Sequence, residues 1–559
     1  MLHNCTLKDA SRIPAQGSAE PTIFCKMSMM AQRLLQDFLF QRACPDEQDR
    51  LALTADGQSY TFKQLVEASQ RLAGFLRHRG LERGDRVAVL LDNSWDSAVS
   101  IFGTLIAGGV FVLISPQTKT DKLEFLLNDS GARVLIAENR LESIFLSALD
   151  RLAHRPALLR AGQPDDNSAE WLTDVLRNAP PLPNFAPAIP LDLAAIIYTS
   201  GSTGTPKGVM QTHQSMVFTT GSLIEYLRLT RDDRILCSLP LSFDYGLYQL
   251  LMTVALGACL VLERSFTFMG QVLERIRDVQ VTVFPGVPTI FAALIASHRR
   301  TTLCLPSVTR VTNTAAALPE EFTASLREIF PNALIYKMYG LTECKRVSYL
   351  EPEMLEVKPG SVGKAIPGTE VYLLSADGTP TPPGEIGTLY VRGPHVMAGY
   401  WRRPDLTEHM LTPGKLPGER LLCTHDLFRT DTDGFLYFVG RTDDIIKTGG
   451  EKVSPAEVEN ALYRIPGVQE AAVVGIPDPI LGEAICAYVV VDSTTRVTTH
   501  SIRVGSAKFL ENYMVPSRII LCERLPRSPN GKINKRILLT DLSPASTTGI
   551  GPQNDTTIS

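Results

Sequence analysis

Glycines, hydroxyl side chains and one lysine are concentrated in residues 198–208, which read YTSGSTGTPKG and directly follow the apolar run 193–197. Glycines allow the backbone to approach an anion, hydroxyls donate hydrogen bonds to phosphate oxygens, and Lys207 supplies a positive charge. The stretch therefore predicts a phosphate-binding loop with ATP as its ligand. The residues assigned to nucleotide binding here are Thr199, Ser200, Gly201, Ser202, Thr203, Gly204 and Lys207.

This loop has two other possible interpretations, an NTPase phosphate loop and a disordered linker. The GxxxxGK[ST] loop of many NTPases is excluded by spacing, because no glycine directly precedes Lys207 and no serine or threonine follows it. A disordered Gly/Ser/Thr linker is the second alternative. The predicted strand before the loop and the apolar pair Val209 and Met210 after it argue against a linker.

Composition limits the class of protein. A chain of 559 residues with 44% hydrophobic content is too long for one core and predicts roughly two to four folded units. The net charge of −4, without a dense basic run, gives no electrostatic case for nucleic acid or an anionic membrane as the main partner. Ten cysteines without CxxC pairs indicate reduced thiols in a cytoplasmic protein, with neither a disulfide framework nor a zinc site.

The longest uncharged segment raises the question of a membrane span. No charge occurs between Asp96 and Lys119, a distance that could cross a bilayer. Three glycines interrupt this run and Pro116 ends it. We therefore predict no membrane span, but a buried helix followed by a central parallel strand at 110–114.

Apolar periodicity predicts an α/β protein with a second, smaller unit. Residues 34–262 alternate short apolar runs with amphipathic ones, such as the predicted helix 62–79, and a further strand and helix follow at 281–284 and 288–297. Predicted strands of this part are 86–91, 134–136, 195–197 and 259–262. The turn-rich segment 360–399 predicts mostly β structure. From Asp443 the pattern becomes a small α+β unit with a helix at 455–465 and strands at 471–474 and 486–491.

The predicted organisation is a disordered leader at 1–30, a large N-terminal domain of layered α/β subdomains plus a β-rich subdomain at 31–442, a small mobile C-terminal domain at 443–540, and a disordered tail at 541–559. The leader has no apolar core typical of a secretory signal. Translation could begin at Met1 or near Met27. The Ser/Thr/Gly/Pro-rich composition of the tail favours disorder.

Five further segments occur in the order found in one superfamily. They are TAAALP at 314–319, YGLTE at 339–343, THD with DGFLYFVGR at 424–441, DDIIKTGGEKVSP at 443–455, and LPRSPNGKI at 525–533. Together with the phosphate loop, they resemble the AMP-forming adenylating superfamily, which contains acyl-CoA synthetases, peptide-synthetase adenylation domains and luciferases. The resemblance covers about residues 34–540. It implies ATP and Mg²⁺ as cofactors, with coenzyme A or a phosphopantetheine as the acceptor.

The resemblance assigns roles around the nucleotide. Tyr339, in the motif with Gly340, packs beside adenine, Thr342 contacts the α-phosphate, and Glu343 helps to hold magnesium, which prefers oxygen ligands shared with phosphates. A helix N-cap or a surface acid is the alternative for Glu343. Small residues, including Ala315 and Ala316, line the adenine slot.

The ribose contact falls to Asp426, because a carboxylate can accept hydrogen bonds from both vicinal hydroxyls. Arg441 adds a ribose or phosphate contact, with a structural salt bridge as the alternative. The superfamily has glycine where this chain has His425, which adds bulk without removing the acid.

The moving parts are assigned by the same resemblance. Asp443 is the hinge, Gly449 lies on the face used for thioester formation, and Lys532 is the catalytic lysine that acts at the α-phosphate. Lys207 holds the departing β- and γ-phosphates. Lys532 lies 325 residues after Lys207, so only closure of the small domain brings both lysines to one nucleotide.

The acid pocket is assigned to LPLSFDYGLYQL at 239–250, with Phe243 and Asp244 as candidates. Asp244 could pair with the ammonium of an amino-acid substrate or could cap the helix that follows. For Lys345 and Arg346 we expect a solvated basic pair rather than an anion site. This stretch also resembles a bacterial subgroup of acyl-CoA ligases linked to exosortase and exopolysaccharide clusters.

The expected reaction joins a small carboxylic acid to a thiol through an acyl-adenylate. The first hypothesis is a carboxylic acid–CoA ligase acting on a fatty, aryl or amino acid. The second is a stand-alone amino-acid ligase that charges an acyl or peptidyl carrier protein. The third is a non-catalytic nucleotide-binding protein, which the joint presence of Lys207, Glu343, Asp426 and Lys532 argues against.

Overall fold

The computed structural model describes residues 32–164, 170–182, 187–200, 205–314, 316–442, 444–448, 451–492, 495, 497–528 and 532–540. The predicted leader and tail lie outside these residues. The helices are α1 (Leu35–Gln41), α2 (Phe62–His78), α3 (Trp95–Ile106), α4 (Thr120–Ser130), α5 (Glu142–Leu149), α6 (Leu172–Asn178), α7 (His213–Tyr226), α8 (Asp244–Leu256), α9 (Met269–Asp278), α10 (Pro288–Arg300), α11 (Phe322–Ile329), α12 (Pro404–Met410), α13 (Pro455–Tyr463), α14 (Thr499–Ser506) and α15 (Lys535–Thr540).

The strands are β1 (Leu51–Ala55), β2 (Gln58–Thr61), β3 (Arg86–Leu90), β4 (Val110–Leu113), β5 (Val134–Glu138), β6 (Ala157–Ala161), β7 (Leu193–Ser200), β8 (Pro206–Thr212), β9 (Arg234–Cys237), β10 (Cys259–Leu262), β11 (Val283–Gly286), β12 (Arg310–Asn313), β13 (Leu334–Tyr339), β14 (Ser348–Leu350), β15 (Lys364–Ala365), β16 (Glu370–Leu374), β17 (Gly387–Arg392), β18 (Gly399–Tyr400), β19 (Leu411–Pro413), β20 (Arg420–Thr430), β21 (Leu436–Arg441), β22 (Ile446–Thr448), β23 (Glu451–Val453), β24 (Val468–Asp478), β25 (Gly482–Val491) and β26 (Arg518–Leu521).

Two large sheets form the N-terminal part. One has seven strands in the order β18-β8-β7-β4-β3-β5-β6, and the other has nine in the order β15-β14-β13-β12-β11-β9-β10-β1-β2. The central strands of both are parallel. Parallel strands are buried on both faces, which explains their continuous apolar runs.

Helices α2, α3, α7 and α8 form the layer between these sheets, because their apolar side chains share one core with residues of both. Strand β3 shows the period of two: Val87 and Val89 belong to that central core, while Ala88 and Leu90 pack with α4 and α5 on the opposite face. Helices α9, α10 and α11 cover the far face of the nine-stranded sheet. This confirms the predicted layered α/β architecture.

The uncharged run after Asp96 forms a buried helix and a central strand, as predicted. Ser94 caps α3 by accepting a hydrogen bond from Ser97 N, and every residue from Ser97 to Ile106 is buried. Gly103 allows α2 to approach, since a Cβ there would lie 2.8 Å from Leu72. Among the described residues, no helix combines the length and the apolar character needed to cross a membrane.

A third sheet contains β16-β17-β20-β19, with β21 paired to β20, so the β-rich region extends beyond the predicted segment 360–399. Its core includes Leu389, Val391 and Phe428 and joins Cys344 and Val347 from the loop after β13. The third sheet therefore supports the loop that carries the YGLTE motif.

The C-terminal part forms a fourth sheet, β23-β22-β25-β24, with β26 parallel to β25. It touches the rest of the chain through Tyr463, whose ring lies 6.0 Å from that of Phe322, and through Arg464, which lies 3.6 Å from Glu321. Ser454 Oγ also donates a hydrogen bond to Val439 O. The small α+β unit is thus packed against α11 and β21.

Several element boundaries differ from those predicted by periodicity. Strand β11 begins at Val283 rather than at residue 281, because Val281 N closes the C-terminal turn of α9 on Ile276 O. Helix α13 ends at Tyr463, two residues before the predicted end.

Candidate active site

The predicted phosphate loop connects two antiparallel strands. Strands β7 and β8 form a hairpin in which Thr199 pairs with Lys207. Residues 201–204, and with them four of the predicted loop residues, lie outside the described part of the chain. Gly208 packs against β7 so closely that a Cβ would lie 2.7 Å from Ile196. A strand, not a helix, therefore follows the loop, which separates it from the NTPase loop already excluded by spacing.

Lys207 and Glu343 are connected through Tyr400, which the sequence analysis did not identify. Strand β18, which carries Tyr400, pairs with β8 beside Lys207. Lys207 Nζ lies 5.5 Å from the centre of the Tyr400 ring, and the Tyr400 hydroxyl donates to Glu343 Oε1 at 2.7 Å. Burial, followed by the charge of Glu343, raises the pKa of Tyr400, so the phenol remains a donor. The two partners of Tyr400 lie far from it in the sequence, so no local pattern marked this residue.

Thr342 and Glu343 lie in a short turn directly after β13. Gln211 Nε2 donates to Thr342 O at 2.9 Å, and Met397 N donates to Glu343 O at 2.7 Å. The N-cap position of this turn is Leu341, so the alternative that Glu343 is an N-cap is wrong.

The site suits a magnesium ion that shares its ligands with phosphates. Among the described residues, no group of three or more His, Cys, Asp or Glu side chains could hold a metal ion alone. Glu343 offers one carboxylate at the turn, with one oxygen engaged by Tyr400. Mg²⁺ commonly binds through one or two carboxylates plus substrate phosphates, which fits this arrangement.

Asp426 is the centre of a second hydrogen-bonded group. Its Oδ2 accepts from the Tyr339 hydroxyl and its Oδ1 lies 3.1 Å from Arg441 Nε. The two partners of the ion pair face each other across β20 and β21. Burial raises the pKa of Asp426, although Arg441 and Tyr339 act in the opposite direction. The salt bridge considered for Arg441 is present, and it lies at the predicted ribose site.

His425, next to Asp426, adopts φ +57°, a conformation in which glycine is favoured. Thr442 holds this conformation by donating from N and Oγ1 to His425 O, at 3.0 and 2.8 Å. The His425 ring stacks on His409 at 4.9 Å. His425, which replaces the glycine of the superfamily, therefore keeps the backbone conformation that favours glycine.

Helix α8 places the acid-pocket candidates. Its N-cap is Phe243, which makes no side-chain capping hydrogen bond, and the helix begins at Asp244. The alternative that Asp244 caps the helix is therefore wrong. Asp244 instead pairs with Lys345, Oδ1 to Nζ at 2.6 Å, and its Oδ2 lies 3.4 Å from Thr342 Oγ1.

The predicted solvated basic pair is also wrong. Lys345 is 2% exposed and Arg346 is 3% exposed. Burial pushes the pKa of Asp244 upward, but the charges of Lys345 and Arg346 outweigh burial and hold this pKa at about 2. Asp244 is consequently ionised, next to the threonine expected at the α-phosphate.

Lys532 faces the same cleft from the C-terminal part. Its side chain keeps access to solvent. Partial loss of hydration within the cleft lowers the pKa of Lys532, while the charges of Asp244, Glu343 and Asp426 act in the opposite direction. The structure therefore brings Lys532 to the carboxylates contributed by α8, the turn after β13 and β20.

One residue predicted to line the adenine slot, Ala316, is described by the structure. Ala316 O accepts a hydrogen bond from Asn313 Nδ2 at 2.9 Å, after the end of β12. Ala315, the predicted hinge Asp443 and Gly449 are outside the described residues.

A layered α/β domain, the β7–β8 hairpin and a buried carboxylate held by a tyrosine and an arginine are the features of a nucleotide-binding enzyme with a small C-terminal domain. The family model described as AMP-binding enzyme matches residues 40–401, and the model described as AMP-binding enzyme C-terminal domain matches residues 457–532. The chain therefore belongs to the AMP-binding enzyme family, within the AMP-forming adenylating superfamily.

Individual relatives agree with this family. A feruloyl-CoA synthase of Amycolatopsis sp is 34% identical over 490 residues, covering 87% of this chain and 94% of that protein. ATP-bound MatB from Rhodopseudomonas palustris superposes with a TM-score of 0.81 at 28% identity, covering 91% of this chain and 99% of that one. The anthranilate CoA ligase AuaEII, in complex with anthranoyl-AMP, gives a TM-score of 0.85 at 27% identity, covering 92% and 98%. The chain is thus an AMP-forming acid–CoA ligase that uses ATP, Mg²⁺ and coenzyme A on a small carboxylic acid.

Proposed function

We propose that the residues described above catalyse a two-step reaction in one cleft. In the first step a carboxylate oxygen attacks the α-phosphorus of ATP, the bond to the bridging oxygen breaks, and pyrophosphate leaves. In the second step the sulfur of coenzyme A attacks the acyl carbon, and AMP leaves. The observation that carries this proposal is the contact of Asp244 with Thr342 and Lys345 in the cleft, with Lys532 within electrostatic range of Asp244.

The nucleotide is held at three places. Residues 199–204 and Lys207 bind the β- and γ-phosphates from the hairpin. Tyr339, Gly340 and the segment 315–316 bind adenine. Asp426 accepts from the ribose hydroxyls, and Arg441 fixes the orientation of its carboxylate through the 3.1 Å contact.

The reacting phosphate is placed next to Thr342 and Glu343. Glu343 would hold Mg²⁺, which when bound neutralises phosphate charge during the reaction. Tyr400 keeps the Glu343 carboxylate oriented toward the hairpin. Thr342 donates from Oγ1 to an α-phosphate oxygen in place of its long contact with Asp244.

Lys532 stabilises the transition state of the first step. Attack of a carboxylate on phosphate brings two anions together, and a positioned cation offsets the charge that develops. Lys532 comes from the C-terminal part, so its position depends on the contact of that part with α11 and β21.

We further propose that residues 443–540 form a mobile domain that rotates about Asp443 after the first step. Rotation removes Lys532 and brings Gly449 beside the thiol. The remaining residues 31–442 form the large domain. We also propose a cytoplasmic location, supported by the cysteine pattern in the sequence.

Replacement of Lys532 tests the assignment. Lys532→Ala is expected to slow acyl-adenylate formation about 10²- to 10³-fold, because one preorganised charge is lost. Release of pyrophosphate measures this step. Thioester formation from supplied acyl-adenylate should remain close to the wild-type rate.

The matched control is Lys535→Ala. Lys535 lies three residues away and pairs with Glu459 at 2.6 Å, outside the cleft. Its removal should leave both steps unchanged. Full adenylation activity in Lys532→Ala would show that the lysine is assigned wrongly.

Loading of an amino acid onto a carrier protein is a second candidate. It is favoured by the ionised Asp244, 3.4 Å from Thr342, where a substrate ammonium could bind. Lys345 already occupies this carboxylate, so an amino acid must displace the Lys345 ammonium. Acid-dependent AMP release should therefore be measured with amino acids as well as with other carboxylic acids.

A further inference from the structure

The acid pocket contains two buried basic side chains and one carboxylate. Lys345 and Arg346 are both almost inaccessible to solvent, and Asp244 pairs with Lys345. Arg346 makes no ion pair with any residue that the structure describes, and its Nε has no hydrogen-bond partner there. A buried guanidinium without a carboxylate is costly, because its hydration is lost without a compensating anion.

The contacts of Arg346 do not supply that anion. Its guanidinium lies 4.9 Å from the centre of the Tyr245 ring, and it also interacts with the hydroxyl of Tyr226. Both partners are neutral phenols, since burial raises the pKa of each above its ordinary value. Cation–π attraction offsets only part of the lost hydration.

The backbone holds Arg346 in this buried position. Arg346 has φ +63°, in the left-handed region that costs energy for a residue with a Cβ. Gly340 packs directly on it, because a Cβ at Gly340 would lie 2.8 Å from Arg346 Cα. Such strain in a functional loop supports a binding role for the side chain.

Arg346 lies near the residues proposed to hold the reacting phosphate. Asp244 contacts both Thr342, the expected α-phosphate residue, and Lys345. Arg346 is the next residue, and its guanidinium lies beside Tyr226 and Tyr245. Both cations therefore follow directly after the turn that carries Thr342.

We propose that the substrate is a short acid with a second anionic group, a carboxylate or a phosphate, which Arg346 binds. The inference rests on the proposed function, because the first carboxylate must be the one that is activated. A short acid is favoured because Tyr226, Tyr245 and Tyr248 are buried against the same two cations. The guanidinium suits both anions through paired hydrogen bonds.

Matched acids test the proposal. Acid-dependent AMP release, with hydroxylamine as the acceptor, is measured for pentanoate, glutarate and 4-phosphonobutyrate, and for the amino acids 2-aminopentanoate and glutamate. Each dianionic acid should exceed its matched monoanionic acid in kcat/KM by about 10- to 100-fold, the effect of one charged hydrogen-bonded contact. The ratio of glutarate to 4-phosphonobutyrate identifies the second group.

Arg346→Met removes the charge and retains the length of the side chain. This variant should lose the preference for dianionic acids and keep or increase the thermal midpoint, because an unpaired buried charge is removed. Arg402→Met is the matched control, since Arg402 also has a positive φ, +54°, but is exposed and outside the pocket. The control should retain the wild-type preference.

The outcomes separate the two proposals. Equal or greater activity with the monoanionic acids, or an unchanged preference in Arg346→Met, overturns the inference and leaves the proposed function intact. A lower thermal midpoint with unchanged preference indicates a structural arginine and also overturns it. Failure of every acid to release AMP counts against the proposed function itself.

Discussion

At the scale of single residues, Asp426 illustrates how the site is prepared before the nucleotide binds. Tyr339 and Arg441 each engage one oxygen of its carboxylate. The two contacts hold the carboxylate from two different sheets, since Tyr339 ends β13 and Arg441 ends β21. An acceptor held in this way does not need to reorganise when two ribose hydroxyls approach.

Asp426→Asn is expected to raise the KM for ATP about 10- to 100-fold, because two charge-assisted hydrogen bonds to ribose are weakened. Steady-state kinetics with ATP measures the change. The same measurement with 2′,3′-dideoxy-ATP provides the control, since wild type and variant should then be nearly equal. A variant that weakens both nucleotides equally would place Asp426 outside the ribose site.

Sequence motifs identified residues that lie around one cleft but misjudged the acid pocket. Lys532 lies within electrostatic range of Glu343 and Asp426, and the roles of these residues toward the nucleotide stay predictions. The burial of Lys345 depends on α8, about 100 residues earlier, so no local pattern could reveal it. Tyr400 was missed for the same reason, because its partners come from β8 and the turn after β13.

At the scale of elements, the first residue of helix α7 is a buried histidine that makes the stability of the fold depend on pH. The helix begins at His213, after the capping residue Thr212. His213 is buried, and its Nδ1 accepts a hydrogen bond from Leu35 N at 3.2 Å. Burial lowers the pKa of His213 to about 4, although Asp192 opposes this change.

Acid is therefore expected to destabilise the protein through His213. The unfolded chain takes up the proton near pH 6.5 and the folded chain only near pH 4, so stability is full above pH 6.5 and falls as the pH decreases toward 4. His213→Asn retains an acceptor for Leu35 N but cannot titrate. Between pH 7 and pH 5, its apparent free energy of unfolding should fall by about 2 kcal/mol less than that of wild type.

Urea titrations at both pH values measure this difference. His78→Asn, at the exposed C-terminal end of α2, is the control and should follow the wild type. An equal acid loss in wild type and His213→Asn would contradict the role of His213.

Periodicity predicted most elements of the large domain because parallel strands and buried helices have strong apolar patterns. Strand β10 has the predicted bounds, and α2 ends one residue before the predicted end. The third sheet was less visible, since its edge strand β19 is short and β17 pairs with β20 across the intervening β18, α12 and β19. The pairing of distant strands is not encoded in any local pattern.

At the scale of the whole molecule, the position of Lys532 depends on contacts far from the nucleotide. Arg464 at the end of α13 lies near Glu321 before α11, and Tyr463 packs on Phe322. These contacts accompany the arrangement in which Lys532 reaches the cleft. Under the proposed mechanism, these contacts would favour the first step over the second.

Glu321→Lys is expected to slow adenylation about two- to five-fold, because an exposed ion pair contributes only a small free energy and repulsion replaces it. Pyrophosphate release measures the first step, and thioester formation from supplied acyl-adenylate measures the second, which should not slow. The double variant Glu321→Lys with Arg464→Glu restores the pair with reversed charges. It should recover the wild-type rate, and failure to recover would show that this contact does not control the arrangement.

The hairpin formed by β7 and β8 has a consequence for engineering loops between relatives. Strand β8 pairs on one side with β7 and on the other with β18, so its register is fixed twice. Inserting one residue within β8 would turn Lys207 to the opposite face of the sheet. Extra residues can therefore be accommodated only at the tip of the hairpin. A loop grafted from a relative can have a different length, but it must leave the residues from Lys207 to the end of β8 without insertions or deletions.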